Sequence, residues 1–181
     1  MVAPWRSPLA RSLHKHRHLP HARYLQLATV TPTGEPTNRT VVFRGFAESN
    51  DGLQFVTDHR SAKIQHLQVN PQAEACWYFV ETREQYRISG RVQIVTGDER
   101  RPLWEALSAK ARQQFAWPHP GQPRAESKAF AVAAPALPPD TFWVLRLWPD
   151  RVERLALRGD PQDRWHYWRE GDTWHQVDWN P

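Results

Sequence analysis

Four residues in the first half of the chain carry groups that commonly bind phosphate: Arg39, Thr57, Ser61 and Lys63. Arginine offers a forked set of donors, lysine offers a compact positive charge, and hydroxyl groups add neutral donors. Ser61 also stands where "SAKIQHLQV" begins a helix, and the free N–H groups of a helix N-terminus attract anions. Taken singly, Ser61 would be an ordinary cap and Lys63 a solvated charge. Together, the four groups predict a phosphate pocket.

Other catalytic and metal-binding patterns are absent from the sequence. It contains no GxGxxG, no P-loop, no HExxH and no CxxC. His14, His16 and His18 alternate along a helical segment and so point in different directions, and we interpret them as part of a solvated basic segment. Ser108 and Ser127 lack a nucleophile elbow. We therefore expect no metal site, no zinc hydrolase and no serine hydrolase.

Composition narrows the class of protein and of partner. The 181 residues suit one domain, 1–181, and the net charge of +5 permits an anionic partner. The ten tryptophans are typical of partly hydrated interfaces and of sites that bind flat ligands. The only cysteine, Cys76, cannot form an internal disulfide, which fits a cytoplasmic protein. No stretch is long and apolar enough for a transmembrane helix, so we expect no membrane partner.

The hydrophobic pattern predicts about eight strands, mostly antiparallel. Tight turns at "TPTGEP" and "ESNDG" join the first three strands into a meander. Gly90 is placed for a bend or bulge within a long strand. The predicted strands are 24–30, 38–46, 53–58, 73–80, 84–96, two strands within 141–157 around a turn at Pro149–Asp150, and a terminal hairpin formed by "DRWHYWRE" and "TWHQVDW".

Three helices are expected outside these strands. The first lies in an N-terminal arm, residues 1–22, with Ser7 as its cap and Pro20 ending it. The second follows Ser61, and the third runs from about Asp98 through "QQFAW". Residues 118–140 are proline-rich and predict a long loop. This mixture is typical of a β-barrel or an α+β fold and argues against a doubly wound dinucleotide fold.

Several segments resemble one known family. "RTVVFRGF", "LQFVTDHRSAKIQHLQVNPQAEACWYFV" and "EQYRISGRV" are similar to the pyridoxamine 5′-phosphate oxidase family of FMN-binding split barrels, and the similarity returns in "DRVERL…DPQDRWHYWRE". "APWRSPLARSLH" and "QFAWPHPG" are similar to a divergent branch of that family. The resemblance implies a mainly β fold, an antiparallel split β-barrel with a few peripheral helices. It also implies FMN as cofactor and a homodimer with FMN at the interface.

The resemblance also implies roles for individual residues. Arg44 would stand on the substrate side, where the family has lysine. Separately from the resemblance, loops often carry binding residues, so we expect Arg112, Trp117, His119 and Arg124, in or beside the proline-rich loop, to build a different substrate wall. Gln85 and Arg164 would reach the flavin, and some of these groups would serve the other subunit. The complete implied set of FMN contacts is Arg39, Thr40, Val41, Val42, Val56, Thr57, Ser61, Lys63, Gln85 and Arg164.

The sequence departs from the family at substrate-binding positions. The family's R-L-H-D-R is "DPQDR" here, so Asp160 replaces an arginine and Gln162 replaces a histidine. An acid in place of an arginine would repel an anionic substrate. The arginine expected between Ser61 and Lys63 is Ala62, and Arg60 is the neighbour that would compensate. The family's flavin-contacting tryptophan aligns with Leu155.

We therefore predict an FMN-dependent oxidoreductase that takes a hydride equivalent from a small-molecule substrate, with an altered substrate site and no catalytic residue identified. Two other classes stay open. The first is a flavin carrier or sensor without turnover, which the lost substrate groups favour. The second is a nucleic-acid-binding protein that uses the basic run of residues 11–23, which no known recognition motif accompanies.

Overall fold

A computed structural model describes residues 2–47 and 51–181. The predicted turn "ESNDG" therefore falls partly outside the described residues. The strands form one antiparallel sheet in the order β3-β2-β1-β4-β5-β6-β7-β8. Their bounds are β1 Tyr24–Val30, β2 Pro36–Phe46, β3 Leu53–Asp58, β4 Gln72–Phe79, β5 Glu84–Val95, β6 Phe142–Ala156, β7 Asp163–Glu170 and β8 Thr173–Trp179.

A pairing between β3 and β6 closes six of the strands into a barrel. The first half of β6 pairs with β3, from Phe142 to Leu147. Its second half pairs with β7, from Arg151 to Ala156, so β7 and β8 extend away from the barrel wall. The prediction of a mainly β, antiparallel split barrel with a few peripheral helices is confirmed.

The prediction of two strands within 141–157 is wrong, because β6 continues through Pro149 and Asp150. The ladder with β5 shifts register between Ser89 and Gly90, and Asp150 is the extra residue. Gly90 confirms the predicted bulge, since a Cβ there would collide with the backbone oxygen of Trp148. A bulge of this kind tolerates a proline inside a strand.

Four short helices and several 3₁₀ turns surround the sheet, and no described helix is both long and apolar enough to cross a bilayer. The first helix, α1, begins at Arg6 after Trp5, so the prediction that Ser7 caps it is wrong. The buried Trp5 indole meets Trp174 of β8 edge-on at 5.9 Å and thereby fixes the start of the helix. The helices are α1 Arg6–Lys15, α2 Ala62–Val69, α3 Arg101–Glu105 and α4 Ala109–Gln113.

The single helix expected from Asp98 to Trp117 is also wrong, since it is divided into α3, α4 and two 3₁₀ turns. Ser108 causes the break. Its backbone is extended, and its side-chain oxygen accepts a hydrogen bond from the N–H of Ala111, which caps α4 as a new helix. The segment consequently consists of short separate helical pieces.

Two hydrophobic clusters hold these elements together. The larger one fills the barrel and continues under α1, where Leu9 is fully buried. Trp77 at its centre packs against Phe43 and Phe79 at ring distances of 5.0 and 5.2 Å. The smaller cluster joins α3 and the following turn to β5 and β6; its buried members are Val95, Trp104, Leu107, Phe142 and Val144.

Candidate functional site

A cavity of about 540 Å³ lies between β2, β3, the start of α2 and the proline-rich segment. The side chains of β2 alternate, so Val41 and Phe43 are buried while Val42 and Arg44 are partly exposed. Most of the residues predicted to contact FMN or substrate line this cavity: Thr40, Val41, Val42, Arg44, Val56, Thr57, Lys63 and Trp117.

The ammonium group of Lys63 is held by two hydroxyl groups at one end of the cavity. Its Nζ donates to Thr57 Oγ1 at 2.9 Å and to Ser61 Oγ at 2.8 Å. Ser61 occupies the N-cap position of α2, but its side chain makes no capping bond and donates instead to the carbonyl of Asp58 at 2.7 Å. The structure therefore brings together three of the four residues from which the phosphate pocket was predicted.

Positive charge accumulates here without a direct ion pair, since the nearby Asp58 is paired with Arg60. Within the described ranges, no carboxylate forms an ion pair with Lys63 or Arg39. Burial, together with the charge of Arg39, lowers the pKa of Lys63 to about 8, and Asp58 offsets this only in part. Burial also lowers the pKa of Arg39. Two such cations without an acid form a site suited to a dianion.

Arg39 lies beside the cavity rather than on its wall, because Arg39 and Arg44 are five positions apart in a strand and face opposite sides. Its guanidinium donates to Thr29 Oγ1 and Thr37 Oγ1, each at 2.7 Å. The hydroxyl of Thr29 also lies 3.0 Å from Nδ1 of His66. Arg39 is thus fixed by neutral partners at the end of the barrel and keeps its full charge.

His66 belongs to this network and was not identified from the sequence. It is 6% exposed, and burial lowers its pKa, as do the charges of Arg39 and Lys63. We expect it to be neutral at pH 7, when its Nδ1 can accept a hydrogen bond from a threonine hydroxyl. Its spacing from Lys63 could have identified it, since positions 63 and 66 share one face of α2.

The expectation that Arg60 compensates for the arginine replaced by Ala62 is wrong. Arg60 forms an ion pair with Asp58, with 2.6 Å between Nη2 and Oδ2, and it donates to the carbonyl of Trp117 at 3.0 Å. Burial raises the pKa of Asp58, but the hydrogen bonds from Arg60 outweigh it and leave the pKa below its usual value. The Asp58–Arg60 pair instead ties Trp117, just before the proline-rich segment, to the end of β3.

Arg44 is the strongest candidate for contact with a substrate. It sits at a β-bulge between Phe43 and Gly45, a feature that commonly redirects side chains near active sites. Its Nε is buried without a hydrogen-bond partner. Burial, followed by the charge of Arg23, lowers its pKa, and no ion pair with a described carboxylate compensates it. Its charge is thus available to an anion in the cavity.

The opposite wall of the cavity comes from the segment after α4. Trp117, His119 and Arg124 line it as predicted, and the guanidinium of Arg124 lies 4.9 Å from the ring centre of Phe130. Arg112 does not line the cavity, because it donates to the carbonyls of Trp104 and Glu105 at the end of α3. Sequence reasoning missed the other lining residues, among them Gln114, Phe115, Gln122, Pro123 and Phe130.

Gln85 and Arg164 lie elsewhere, in a second hollow of about 170 Å³ that shares no lining residue with the cavity. They flank Leu155 in adjacent strands of the sheet. Glu153 accepts a hydrogen bond from Arg164 at 2.6 Å and orients its guanidinium. Within one copy of the chain, these two predicted flavin contacts are therefore separate from the other eight.

His16 corrects the view of the basic run as wholly solvated. It is 1% exposed, its Nδ1 lies 2.7 Å from the carbonyl of Ser12, and its Nε2 accepts from the N–H of Glu81 at 2.9 Å. This histidine holds α1 against the barrel. No group of three or more potential metal ligands occurs among residues 2–47 and 51–181.

The donors in the cavity fit the phosphate of FMN. A dianion would pair with the uncompensated charges of Lys63 and Arg39 and would accept hydrogen bonds from Thr57 and Ser61. The apolar side chains of β2 and β3 that follow along the cavity offer a surface for a flat ring.

Comparisons with known proteins agree with this chemistry. A family profile described as pyridoxamine 5′-phosphate oxidase, FMN-binding domain, matches residues 2–96. Pyridoxine/pyridoxamine 5′-phosphate oxidase 2 of Arabidopsis thaliana is 38% identical over 168 residues, covering 87% of this chain and 85% of that protein. The corresponding oxidase of Rubrobacter xylanophilus is 30% identical and covers 86% of this chain and 76% of its own length.

Solved structures show the same relationship. A pyridoxamine 5′-phosphate oxidase-related, FMN-binding protein from Nostoc punctiforme is 47% identical, with a TM-score of 0.97 over the whole of both chains. PhzG of Burkholderia lata, solved with tetrahydrophenazine-1-carboxylic acid, is 26% identical, with a TM-score of 0.87 over 100% of this chain and 94% of that one. This chain therefore belongs to the pyridoxamine 5′-phosphate oxidase family, and FMN is its cofactor.

Proposed function

We propose that the protein is an FMN-dependent oxidoreductase that acts on a small molecule. The observation that supports this most strongly is the pair of uncompensated cations, Lys63 and Arg39, at the end of a cavity lined by β2 and β3. FMN supplies the two-electron redox chemistry when bound, and the protein positions it. Lys63, Thr57 and Ser61 hold the phosphate, and Arg39 adds charge from behind. Thr40 and the three valines of the cavity wall face the ring system.

The substrate is proposed to be an anion that pairs with Arg44. This guanidinium is half-buried, lacks a partner at Nε and faces the cavity. PhzG, the 26% identical relative, was solved with a ring-bearing carboxylic acid. Asp160 and Gln162 replace two groups that the resemblance assigns to pyridoxamine 5′-phosphate. Asp160 would repel a phosphate dianion more strongly than a singly charged carboxylate, so we propose a ring-bearing carboxylate rather than that phosphate ester as the preferred substrate.

We further propose that the active form is a homodimer in which each FMN site uses both copies. The separate hollow of Gln85 and Arg164 motivates this proposal, because a second copy would complete the set of predicted contacts. The proposed location is the cytoplasm, since Cys76 is the single cysteine of the chain.

The function is tested first by the absorbance spectrum of freshly purified protein, followed by anaerobic mixing with candidate substrates. We expect bound FMN, and we expect its absorbance to bleach with carboxylates on partly reduced rings, which can give a hydride equivalent to the flavin. Arg44→Ala should lose this reaction, whereas Arg112→Ala, outside the cavity, should keep it. Protein that neither carries nor takes up FMN would refute the proposal. Bound FMN that no candidate substrate and no NADPH reduces would favour the carrier or sensor instead.

The dimer is tested by co-expressing two inactive variants under different tags. Lys63→Ala damages the phosphate pocket, and Arg164→Ala damages the second hollow. If each site uses both copies, the mixed dimer contains one site with both groups intact, and half of its sites should bind FMN normally. Failure to regain any normal site would exclude sharing between subunits.

A further inference from the structure

One row of side chains crosses four strands on the outer face of the sheet. Gln85 of β5 pairs with Leu155 of β6, Leu155 pairs with Arg164 of β7, and Arg164 pairs with Trp179 of β8. Directly paired residues of antiparallel strands project from the same face of the sheet. Trp179 is therefore the last member of a row whose first and third members were predicted to contact flavin.

Trp179 combines exposure with a fixed orientation. It is 43% exposed, yet its ring stacks on His166 with 4.0 Å between centroids and an angle of 12°. His166 in turn stacks on Trp168 at 5.5 Å and 17°. The guanidinium of Arg164 lies 5.4 Å from the Trp179 ring centre. An ordered, partly exposed indole is suited to contact with a flat aromatic ligand.

The other members of the row show what this indole adds. Gln85 and Arg164 offer hydrogen-bond groups, and Arg164 is already oriented by Glu153. Leu155 is aliphatic and has no π face. Trp179 is thus the aromatic member of the row, and it stands beside the charged group that the flavin would meet.

We propose that Trp179 is a cofactor-contacting residue, whose indole lies against the isoalloxazine bound in the cavity of the partner copy. This inference rests on the shared dimeric FMN site proposed above. Gln85 and Arg164 then supply polar contacts to the ring, and Trp179 supplies a stacking or edge contact. The stacked His166 ring holds its plane.

The contact is tested by titrating apoprotein with FMN and following flavin fluorescence. Trp179→Ala should raise the Kd about three- to tenfold and reduce the quenching of bound flavin, because an aromatic contact is lost. The Kd and the quenching of Trp179→Phe should lie between those of Trp179→Ala and those of the wild type. Trp168→Ala is the matched control, since Trp168 lies four positions along β7 from Arg164 and stacks on His166 and His175 rather than on Trp179, and it should retain wild-type Kd and quenching. Unchanged binding and quenching in Trp179→Ala, or an equal loss in Trp168→Ala, would overturn the inference.

Mixed dimers test whether the contact crosses between subunits. Lys63→Ala and Trp179→Ala subunits, co-expressed under different tags, should give mixed dimers in which half of the sites bind FMN with wild-type affinity. No recovery would overturn the placement of Trp179 in the partner's site. One result would separate the two proposals. If mixed dimers of Lys63→Ala and Arg164→Ala regain normal FMN sites but those of Lys63→Ala and Trp179→Ala do not, the shared site is supported and the role of Trp179 is refuted. Wild-type protein that takes up no FMN would overturn both proposals.

Discussion

Raising the pH from about 7 to about 9 should weaken FMN binding roughly tenfold through one residue, Lys63. Burial and the nearby charge of Arg39 lower its pKa to about 8 in the protein without FMN, despite the partial offset from Asp58. Most Lys63 side chains are therefore charged at neutral pH, and about one in ten is charged one unit above this pKa.

The direction of the effect follows from proton linkage. The FMN phosphate favours the ammonium form of Lys63, so its binding raises the pKa of Lys63 and takes up a proton above pH 8. The apparent Kd should then increase about tenfold for each further pH unit, until the pKa of the complex is reached. Below about pH 6 the phosphate itself gains a proton, which also weakens binding. Affinity should consequently be highest between these two limits.

The assay is a titration of apoprotein with FMN, followed by fluorescence at a series of pH values. Lys63→Arg is the matched control, because a guanidinium keeps its charge throughout this range. We expect the alkaline loss of affinity to disappear in Lys63→Arg. An alkaline loss of the same size in Lys63→Arg and wild type would refute the role assigned to Lys63.

Three further predictions concern the neighbouring structure. Lys63→Met should abolish tight FMN binding yet stabilise the apoprotein by about 1–3 kcal/mol at neutral pH, because the lowered lysine pKa means that its charged form destabilises the fold below pH 8. In denaturant unfolding, wild type should approach the variant as pH rises from 8 towards 10.5; a constant difference would contradict this reasoning. Asp58→Asn should lower the free energy of unfolding by about 1–3 kcal/mol and speed proteolysis after Trp117, because Arg60 bridges Asp58 and Trp117. An unchanged rate of cleavage would contradict this bridge. Gly90→Ala should lower the free energy of unfolding by about 1–3 kcal/mol or more, because its Cβ would collide with the backbone of Trp148. An unchanged Tm in thermal unfolding would contradict the bulge geometry.

The barrel strands could be predicted because their signals are local. β1 and β3 begin and end at the predicted residues, since alternating burial and flanking turns define both of them. The strand through Pro149 could not be read in this way. Its continuity depends on Gly90 in the paired strand, and a proline normally indicates an interruption. The break at Ser108 likewise depends on a single capping bond within a segment of good helix formers.

The candidate site was predictable where its residues are close in sequence. Thr57, Ser61 and Lys63 belong to consecutive elements, and the structure places their side chains in direct contact. Arg60 was misjudged because its pairing with Asp58 depends on how the chain turns between β3 and α2. Tertiary proximity also decides which loop residues face the cavity, so Arg112 could not be separated from Trp117 by sequence alone.

Comparing riboflavin with FMN tests most directly whether Lys63 and its neighbours hold the flavin phosphate. The two ligands share the ring system and the ribityl chain and differ in the phosphate. Apoprotein titrated with each at neutral pH should bind FMN at least about 100-fold more tightly, since two charge-assisted contacts are each worth about 1.5–3 kcal/mol. Equal affinities for riboflavin and FMN would contradict a phosphate site at this end of the barrel.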